Sequence, residues 1–463
     1  MPSPRVHLPP GTLQWDALRD ELQIPEAFPP AVLAEAEQVR PAMPPTDLTE
    51  VPFLTIDPPG STDLDQAMAL RQVAHGYQVL YAIADVAAFV SPGGGLDAEA
   101  HRRGETFYAP DKRVPLHPPV LSEGAASLLQ DQTRPALVWQ LDLDADGKLV
   151  GTHVSRAVVR SRRKLDYPTV QDQIDNGTAA ADLMLLKEIG LKRLEAARRR
   201  GAVDLQTPEQ EVDAQGRLTY RAQLPCEQWN AQISLLTGMA AAALMLQGRV
   251  GLLRTLPVPE QAAVDSLRRS AVALGIAWPE GTPYGEVLSA LDPQQPAAAA
   301  LLTLATRLLR GAAYTVIDDD PGELTVHSAV AAPYAHCTAP LRRLADRYVG
   351  EVCVALCAGE AVPQWVLDRL PELPEEMAEA DRKAHALDRA VVDLAEACLL
   401  QQRVGETFRG VVVEANGNGG TVQLTDPAVR AKLDGRDLPL GTTVSVVLEQ
   451  ADPQTRSVRF RLA

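Results

Sequence analysis

Three aspartates within nine residues, Asp57, Asp63 and Asp65, form the group in this sequence with the clearest capacity for chemistry. The first ends an apolar run, and the Pro-Pro-Gly turn at residues 58–60 can fold the chain back so that the carboxylates approach one point. Such like charges raise one another's pKa unless a cation is bound. Carboxylate oxygens select Mg²⁺ or Mn²⁺, which take further ligands from water and phosphate. The cluster therefore predicts a metal site for phosphodiester hydrolysis, with an acidic surface turn as the alternative.

The segments that would position this cluster indicate a mixed α/β fold. Residues 50–57 and 76–84 have the apolar, β-rich character of buried strands. Apolar residues and a glycine recur at spacings of three and four between residues 183 and 200, which predicts one face of a helix. Further helices are predicted at residues 232–246, 264–274, 296–309, 342–356 and 375–402.

The pattern changes after Gln402, where helical periodicity stops and short β-type runs follow. These runs span residues 407–414, 420–424, 442–449 and 457–462. Strands of this number and length, separated by glycine or Asp-Pro turns, are typical of a small OB-like β-barrel. We predict a short N-terminal helical segment at residues 1–45 with helices at 13–22 and 30–39, a mixed α/β catalytic domain at 46–402, and the barrel at 403–463.

The net charge of −16 argues against a protein that coats nucleic acid by long-range attraction, but a local groove can still be basic. Candidate basic runs are residues 160–164, 198–200 and 342–347, each of which could equally be a solvated face. The apolar runs are too short for a membrane span and the N-terminus has no signal-peptide pattern, so we expect a cytoplasmic protein without membrane contact. Five cysteines without a CxxC pair indicate reduced thiols and no zinc site.

Two segments of the sequence carry a family resemblance. The stretch Ile56-Asp57-Pro58-Pro59-Gly60-Ser61-Thr62-Asp63-Leu64-Asp65-Gln66-Ala67 closely resembles the signature of the ribonuclease II/R exonucleases, turn residues included. The stretch from Ala335 to Arg343 is similar to the second signature of that family. Residues 82–87, 102–110 and 121–128 resemble intervening family segments in the expected order. The resemblance covers residues 25–463 and implies an RNB-type catalytic domain followed by an S1-type RNA-binding barrel.

The resemblance implies a hydrolytic 3′→5′ exoribonuclease that requires Mg²⁺ or Mn²⁺, acts on RNA with a free 3′ end and releases 5′-nucleoside monophosphates. It assigns the metal to Asp57, Asp63, Asp65 and Gln66, and it makes Asp65 the residue that is hardest to replace. Arg342 would stabilise charge on the scissile phosphate as the second catalytic residue.

The same resemblance assigns three residues to substrate. Tyr108 would stack on a base near the 3′ end, a contact worth about 1–3 kcal/mol per base. Thr338 lies in the second signature and would contact the substrate, and Arg343 would anchor a neighbouring phosphate or carboxylate. Without the family context, Tyr108 is more simply a core residue and the two arginines a structural ion pair.

The sequence departs from the family pattern at several positions. Gln66 stands where a fourth aspartate is usual, which predicts weaker metal binding, a changed metal preference or inactivity. Cys337 and Ala339 replace an aromatic residue and a serine, and the region 233–242 lacks paired glutamates. Residues 419–422 lack the aromatic side chain usual in S1 domains. Contacts to the terminal nucleotide and the grip of the barrel on RNA are therefore expected to differ.

These departures keep a second hypothesis open, in which the chain is a catalytically weakened RNA-binding or regulatory member of the family. A metal nuclease that acts on DNA is a minor third interpretation. Relatives carry cold-shock-type barrels before the catalytic domain, and 45 residues cannot supply them. We therefore expect a less enclosed channel entrance and tolerance of structured RNA, with duplex accepted closer to the 3′ end. We also expect a monomer.

Overall fold

The computed structural model describes residues 15–203, 205, 209–212, 218–221, 223–317, 326–424 and 426–463, with the backbone alone for 209–212 and 218–220. The beginning of the predicted helix at 13–22 therefore lies outside the described residues. The helices are α1 (Trp15–Glu21), α2 (Pro30–Gln38), α3 (Gly95–Arg103), α4 (Tyr167–Asp175), α5 (Ala181–Arg200), α6 (Pro225–Gly248), α7 (Gln261–Ala273), α8 (Tyr284–Ser289), α9 (Pro296–Ala305), α10 (Leu344–Ala358), α11 (Gln364–Arg369) and α12 (Leu373–Leu400).

The strands of the first half are β1 (Phe53–Asp57), β2 (Gln66–Val73), β3 (Gly76–Ala84), β4 (Phe107–Tyr108), β5 (Arg113–Val114), β6 (Thr133–Asp144) and β7 (Leu149–Asp166). Those of the second half are β8 (Glu209–Val212), β9 (Leu218–Arg221), β10 (Leu252–Thr255), β11 (Ala313–Val316), β12 (Thr407–Asn416), β13 (Gly419–Leu424), β14 (Arg430–Asp434), β15 (Thr443–Asp452) and β16 (Ser457–Leu462).

A closed five-stranded barrel of order β1-β2-β3-β6-β7 forms the centre of the mixed α/β region. Its neighbours pair antiparallel except β1 and β7, which close the barrel in parallel with Asp57 opposite Asp166. Because parallel strands end at the same edge, the last residue of β1 and the last residue of β7 lie together at one rim. Asp57, the first residue of the acidic cluster, is therefore fixed at the barrel rim.

Alternation along the strands divides the barrel residues between two hydrophobic clusters, as a side-chain period of two requires. Tyr81 and Ile83 enter one cluster, which continues into α4, α5, α6 and α10. Leu80 and Ala82 enter the other, which includes Val32 of α2 and Leu96 of α3. The barrel is thus covered by helices, and its rim is the region where loops approach it.

Helix α6 is, in the described part of the chain, the one helix that is long and apolar enough to cross a membrane by length and composition. Half of its most apolar stretch is buried inside the protein. Trp229, Ile233 and Ala241 from this helix belong to the main core, where α5 and α10 pack against it. This burial is that of a core helix.

The C-terminal strands close a second five-stranded barrel of order β12-β13-β14-β16-β15. Its aromatic residues Phe408 and Phe460 are buried in its core, with ring centroids 5.8 Å apart in an edge-to-face arrangement. Those rings are therefore used for packing rather than for stacking on a nucleic acid. This cluster also takes in Trp15 of α1, Leu387 of α12 and Phe107 of β4.

The predicted fold class, a mixed α/β catalytic region followed by an OB-like barrel, is confirmed. The strand at 76–84 is found as predicted, whereas β2, the strands from β4 to β11, and β14 were not predicted. The helix predicted from residue 342 begins at Leu344, because Arg343 is extended and forms a β-bridge with Glu105. The helix predicted at 232–246 is longer and begins at Pro225.

Candidate active site

The acidic cluster lies on a loop that leaves β1 and returns as β2. Pro58 accepts a hydrogen bond from the Ser61 N–H at 3.2 Å, and Gly60 has φ of +80°. Pro59 and Gly60 thus occupy the central positions of a tight turn, where glycine adopts positive φ without strain. The turn reverses the chain between Asp57 and Asp63, as the sequence predicts.

Hydrogen bonds to the backbone of Thr62 and Leu64 hold the second half of this loop in place. The Ser127 hydroxyl donates to the Thr62 carbonyl at 2.7 Å and accepts the Leu64 N–H at 2.9 Å. Leu64 itself is fully buried and accepts the Leu128 N–H at 3.0 Å. The segment 121–128 therefore fixes the direction in which Asp63 and Asp65 leave the loop.

Asp65 joins the two family-like segments, which are 276 residues apart in the chain. One carboxylate oxygen accepts the Leu341 N–H at 2.8 Å, and the other lies 3.3 Å from Arg342 Nε. The Asp65 side chain is 5% exposed, whereas that of Arg342 is 39% exposed. The arginine therefore faces solvent beside a buried carboxylate, which is an arrangement suited to receiving an anion.

Burial makes the carboxyl groups of this site difficult to ionise. It raises the pKa of Asp65 to about 8, although Arg342 and the Leu341 N–H act in the opposite direction. It also raises the pKa of Asp57 to about 6, against the influence of Arg342 and Lys164. The Asp63 charge raises both values further. A cation bound between these groups would remove this cost.

Asp63 is engaged by a residue that the sequence did not indicate. Arg113 on β5 pairs with Asp63 through Nη1, and its Nη2 lies 2.9 Å from Glu123 Oε1. The same Nη2 donates to the Thr62 hydroxyl at 2.9 Å, and that hydroxyl donates to Glu123 Oε2 at 3.0 Å. Asp63 is thus paired with a guanidinium, while its charge still acts on Asp57 and Asp65.

That the three aspartates converge on one metal ion stays a prediction, although Asp63 acts electrostatically on both Asp57 and Asp65 in the structure. Across the residues it describes, no three Asp, Glu, His or Cys side chains are grouped so that they could hold a metal ion. Asp57 and Asp65 still fit a metal ion, since they are hard oxygen donors whose raised pKa values reflect burial that is only partly compensated. Mg²⁺ commonly uses one or two protein carboxylates and completes its shell with water and phosphate.

Gln66, predicted as a further metal ligand, uses its amide to connect neighbouring segments. Its Nε2 donates to the Thr338 carbonyl at 2.7 Å, and its Oε1 accepts the Tyr81 hydroxyl at 2.6 Å. The Tyr81 hydroxyl also lies 2.8 Å from Ser234 Oγ on α6. Metal ligation by Oε1 would have to share that oxygen with Tyr81.

Tyr108 lies on the short β4–β5 hairpin directly opposite Arg113. Its ring is partly exposed, which keeps it accessible to a base. Burial lowers the pKa of Arg342, but the neighbouring Tyr108 and Asp65 raise it above its ordinary value. Tyr108 is therefore close enough to Arg342 to act on it electrostatically, and its hairpin also carries the arginine that pairs with Asp63.

The two adjacent arginines of the second signature have different surroundings. Arg343 donates through Nε and Nη2 to the two oxygens of Asp346, at 2.9 and 2.8 Å, and the Asp346 side chain is fully buried. Asp346 also accepts the Ala339 N–H at 2.7 Å. Thr338 is 5% exposed and contributes its carbonyl to Gln66. The structure thus gives Arg343 and Thr338 contacts within the protein.

Three contributors escaped the sequence reasoning. Arg113 follows the family-like segment at 102–110, and nothing in its local spacing points to Asp63. Glu123 lies in a π-helical turn, Leu121–Ala125, a rare element that often marks functional sites. His117, fully buried, hydrogen-bonds to the Pro340 backbone next to Arg342. The π-helical turn is a structural feature that points to Glu123, but the sequence gives no sign of it.

Two family models match this chain. The model described as the RNB domain matches residues 45–357, and the RNase II-type exonuclease C-terminal S1 domain matches residues 406–463. Among curated proteins, Ribonuclease R of Escherichia coli (strain K12) is 28% identical over 440 residues, which are 87% of this chain and 53% of the relative. The chain therefore spans about half the length of the curated relatives that it matches.

Solved structures share the fold. Mycoplasma genitalium RNase R in complex with ribose methylated single-stranded RNA matches with a TM-score of 0.87 and 18% identity, over 97% of this chain and 77% of that one. Yeast Ssd1, described as a pseudonuclease, matches with a TM-score of 0.71 and 17% identity, over 88% of this chain and 53% of that one. The fold thus occurs both in a nuclease and in a protein described as lacking that activity.

Proposed function

Because the chain belongs to the RNB-domain family, here with an RNase II-type S1 domain, we propose that it is a divalent-metal-dependent 3′→5′ exoribonuclease. It hydrolyses RNA from a free 3′ end and releases 5′-nucleoside monophosphates. Mg²⁺ is the expected ion, with Mn²⁺ as a substitute. We further propose that it acts in the cytoplasm as a monomer.

The observation that carries this proposal is the junction at Asp65. A buried carboxylate, held by the Leu341 N–H at 2.8 Å, lies next to an arginine that is 39% exposed. The carboxylate is suited to a hard cation, and the guanidinium is suited to a phosphate oxygen. Asp57 supplies a second carboxylate at the same rim, coupled electrostatically to Arg342.

Each residue of the site has a separate role in the proposed reaction. Asp57 and Asp65 would hold the ion, which when bound polarises the phosphate and lowers the pKa of an attacking water. Arg342 places positive charge next to the phosphoryl oxygens, where negative charge increases in the transition state. Tyr108 stacks on the terminal base and so orients the last phosphodiester toward Arg342. Arg343 keeps Arg342 in register through its paired contacts with Asp346.

Incubation of the purified protein with 5′-labelled single-stranded RNA and Mg²⁺ or Mn²⁺ tests the proposal. We expect progressive shortening of the RNA and loss of that activity in Asp65→Asn. An equivalent DNA strand should remain intact, and its shortening would favour the DNA-nuclease interpretation. Asp172→Asn, an exposed carboxylate on α4, is the matched control that should keep full activity. A substrate set with graded 3′ overhangs measures the predicted tolerance of structured RNA.

The second candidate is an RNA-binding protein of the same family without activity. The contacts of Gln66 favour it, because the amide that replaces a carboxylate already bonds Thr338 and Tyr81. The likeness in fold to a protein described as a pseudonuclease shows that such an outcome occurs on this architecture. RNA that is bound but remains intact with both ions would establish this function in place of the first.

A further inference from the structure

We propose that Arg113 is a positioning residue that alternates with the divalent cation at Asp63, and that Glu123 holds its guanidinium when the cation is bound. This inference rests on the proposed metal-dependent function. It assigns a role in metal loading to two residues outside the acidic cluster and the second signature.

The contacts of Arg113 show why two carboxylates are needed. One terminal nitrogen pairs with Asp63, and the other lies 2.9 Å from Glu123 Oε1. The Thr62 hydroxyl lies between them, accepting from Arg113 and donating to Glu123 Oε2 at 3.0 Å. The planar, forked guanidinium is suited to bridging two acceptors in this way. Arg113 can therefore leave Asp63 without losing Glu123 and Thr62.

Partial exposure allows this exchange. The side chain of Arg113 is 30% exposed, that of Glu123 is 30% exposed, and that of Asp63 is 17% exposed. A partly solvated ion pair can separate at a small cost, whereas separation of a fully buried pair strands a charge. Asp65, with 5% exposure, has no comparable freedom.

The charge balance favours competition between the guanidinium and the cation. In the structure Arg113 pairs with Asp63, whose charge still raises the pKa of both Asp57 and Asp65. With a divalent ion bound at Asp57 and Asp65, the Asp63 carboxylate would be attracted toward them and the Arg113 guanidinium would be repelled. Loss of Arg113 should therefore strengthen ion binding, and loss of the Glu123 charge should weaken it because Asp63 is then the remaining carboxylate partner of Arg113.

Mn²⁺ binding, measured by electron paramagnetic resonance and calorimetry on the full chain, tests this inference. We expect Arg113→Gln to lower the dissociation constant for Mn²⁺ by about threefold to tenfold, and Glu123→Gln to raise it by a similar factor. Asp65→Asn identifies the specific signal, which it should remove. Arg71→Gln, an exposed arginine on β2, controls for the loss of one positive charge.

The two variants are expected to change the dissociation constant for Mn²⁺ in opposite directions, which distinguishes this inference from a structural role. If Arg113 merely braces the loop, both variants weaken Mn²⁺ binding, and the inference is overturned. Unchanged dissociation constants in both variants overturn it as well, while leaving the proposed function intact. If the wild-type chain shows no Mn²⁺ binding that is lost in Asp65→Asn, the proposed metal site is wrong, and the inference is wrong with it. Glu123→Gln gives an independent result if Arg113→Gln does not fold.

Discussion

At the scale of single residues, Gln66 has the most direct test. Its amide donates to the Thr338 carbonyl at 2.7 Å, a contact that an ionised carboxylate cannot make. Gln66→Glu adds a negative charge at the same side-chain length and removes this donor. We predict tighter Mn²⁺ binding by about tenfold, together with a loss of about 1–3 kcal/mol in the free energy of unfolding of the metal-free protein.

Calorimetry with Mn²⁺ and denaturant unfolding in the presence of a chelator measure the two effects. Gln132→Glu, an exposed position before β6, adds the same charge away from the site and should change neither quantity. Weaker ion binding in Gln66→Glu would mean that the hydrogen bonds of the amide matter more to the site than its charge.

Arg342 and Arg343 lead to a second prediction, since their contacts separate catalysis from stability. Arg342→Met should abolish RNA shortening at a smaller cost in unfolding than Arg343→Met, because its side chain is 39% exposed and its contact with Asp65 is 3.3 Å long. Arg343→Met leaves Asp346 buried without its bidentate partner. We expect that variant to lose about 3–5 kcal/mol in the free energy of unfolding.

Chemical denaturation and a labelled-RNA assay on both variants check this division. A stable but inactive Arg343→Met would instead support the direct substrate contact that the sequence predicts for Arg343. The family resemblance gave Arg342 a catalytic role but left open whether Arg343 anchors a phosphate or a carboxylate, so it could not separate the two arginines as catalytic and structural. That separation depends on which buried carboxylate pairs with each arginine. In the sequence, Asp346 cannot be distinguished from any other acidic residue in the first turn of a helix.

At the scale of elements, His117 connects the loop after β5 to the second signature. The imidazole is buried and hydrogen-bonds to the Pro340 backbone, and burial, with Arg347 and Arg103 nearby, lowers its pKa to about 3. The unfolded chain takes up this proton below about pH 6.5, whereas the folded chain does so only near pH 3. Stability from the neutral imidazole is thus complete above pH 6.5 and decreases as the pH falls toward 3.

We therefore predict that His117→Gln, which keeps an N–H donor but does not titrate, loses less stability than the wild type between pH 6.5 and pH 4. The difference in slope should approach about 1.4 kcal/mol per pH unit at most. Urea unfolding at several pH values measures it. His153→Gln, at an exposed histidine on β7, is the control and should follow the wild type. Parallel curves for His117→Gln and wild type would contradict the prediction.

Elements also show where sequence reasoning reaches its limit. β3 was predicted because every second residue after Gly76, from Tyr77 to Ile83, is β-branched or aromatic. β2, with the sequence QAMALRQV, is rich in residues that favour helices, and pairing with β1 and β3 overrides that preference. The closure of the barrel by β1 and β7 pairs residues about 100 positions apart, which no local pattern encodes.

At the scale of the whole molecule, α1 lies between the β4–β5 hairpin and the C-terminal barrel. Arg19 is fully buried and donates to both oxygens of Asp111, in the turn between Tyr108 and Arg113, at 2.7 and 2.9 Å. Glu21 pairs with Arg456 of the barrel at 2.8 Å. The hairpin and the barrel therefore share a support, although they belong to different domains.

The hydrophobic cluster that contains Trp15, Phe107, Leu387 and Phe460 leads to the last prediction. Leu387 lies on α12 and is 1% exposed. We predict that Leu387→Ala costs about 2–5 kcal/mol in the free energy of unfolding and accelerates hydrogen exchange in both the hairpin at 107–114 and the strands of the C-terminal barrel.

Hydrogen exchange followed by mass spectrometry separates this coupling from a general loss of stability. Leu141→Ala, in the core that the catalytic barrel shares with α5 and α6, creates a similar cavity outside the shared cluster. That variant should accelerate exchange first in the catalytic barrel strands and their helices. Acceleration in the C-terminal barrel alone for Leu387→Ala would show that the hairpin is held by its own contacts. Acceleration in both the hairpin and the C-terminal barrel would mean that the packing of this barrel helps to set the position of Tyr108 and Arg113. The sequence of the barrel gives no indication of that coupling.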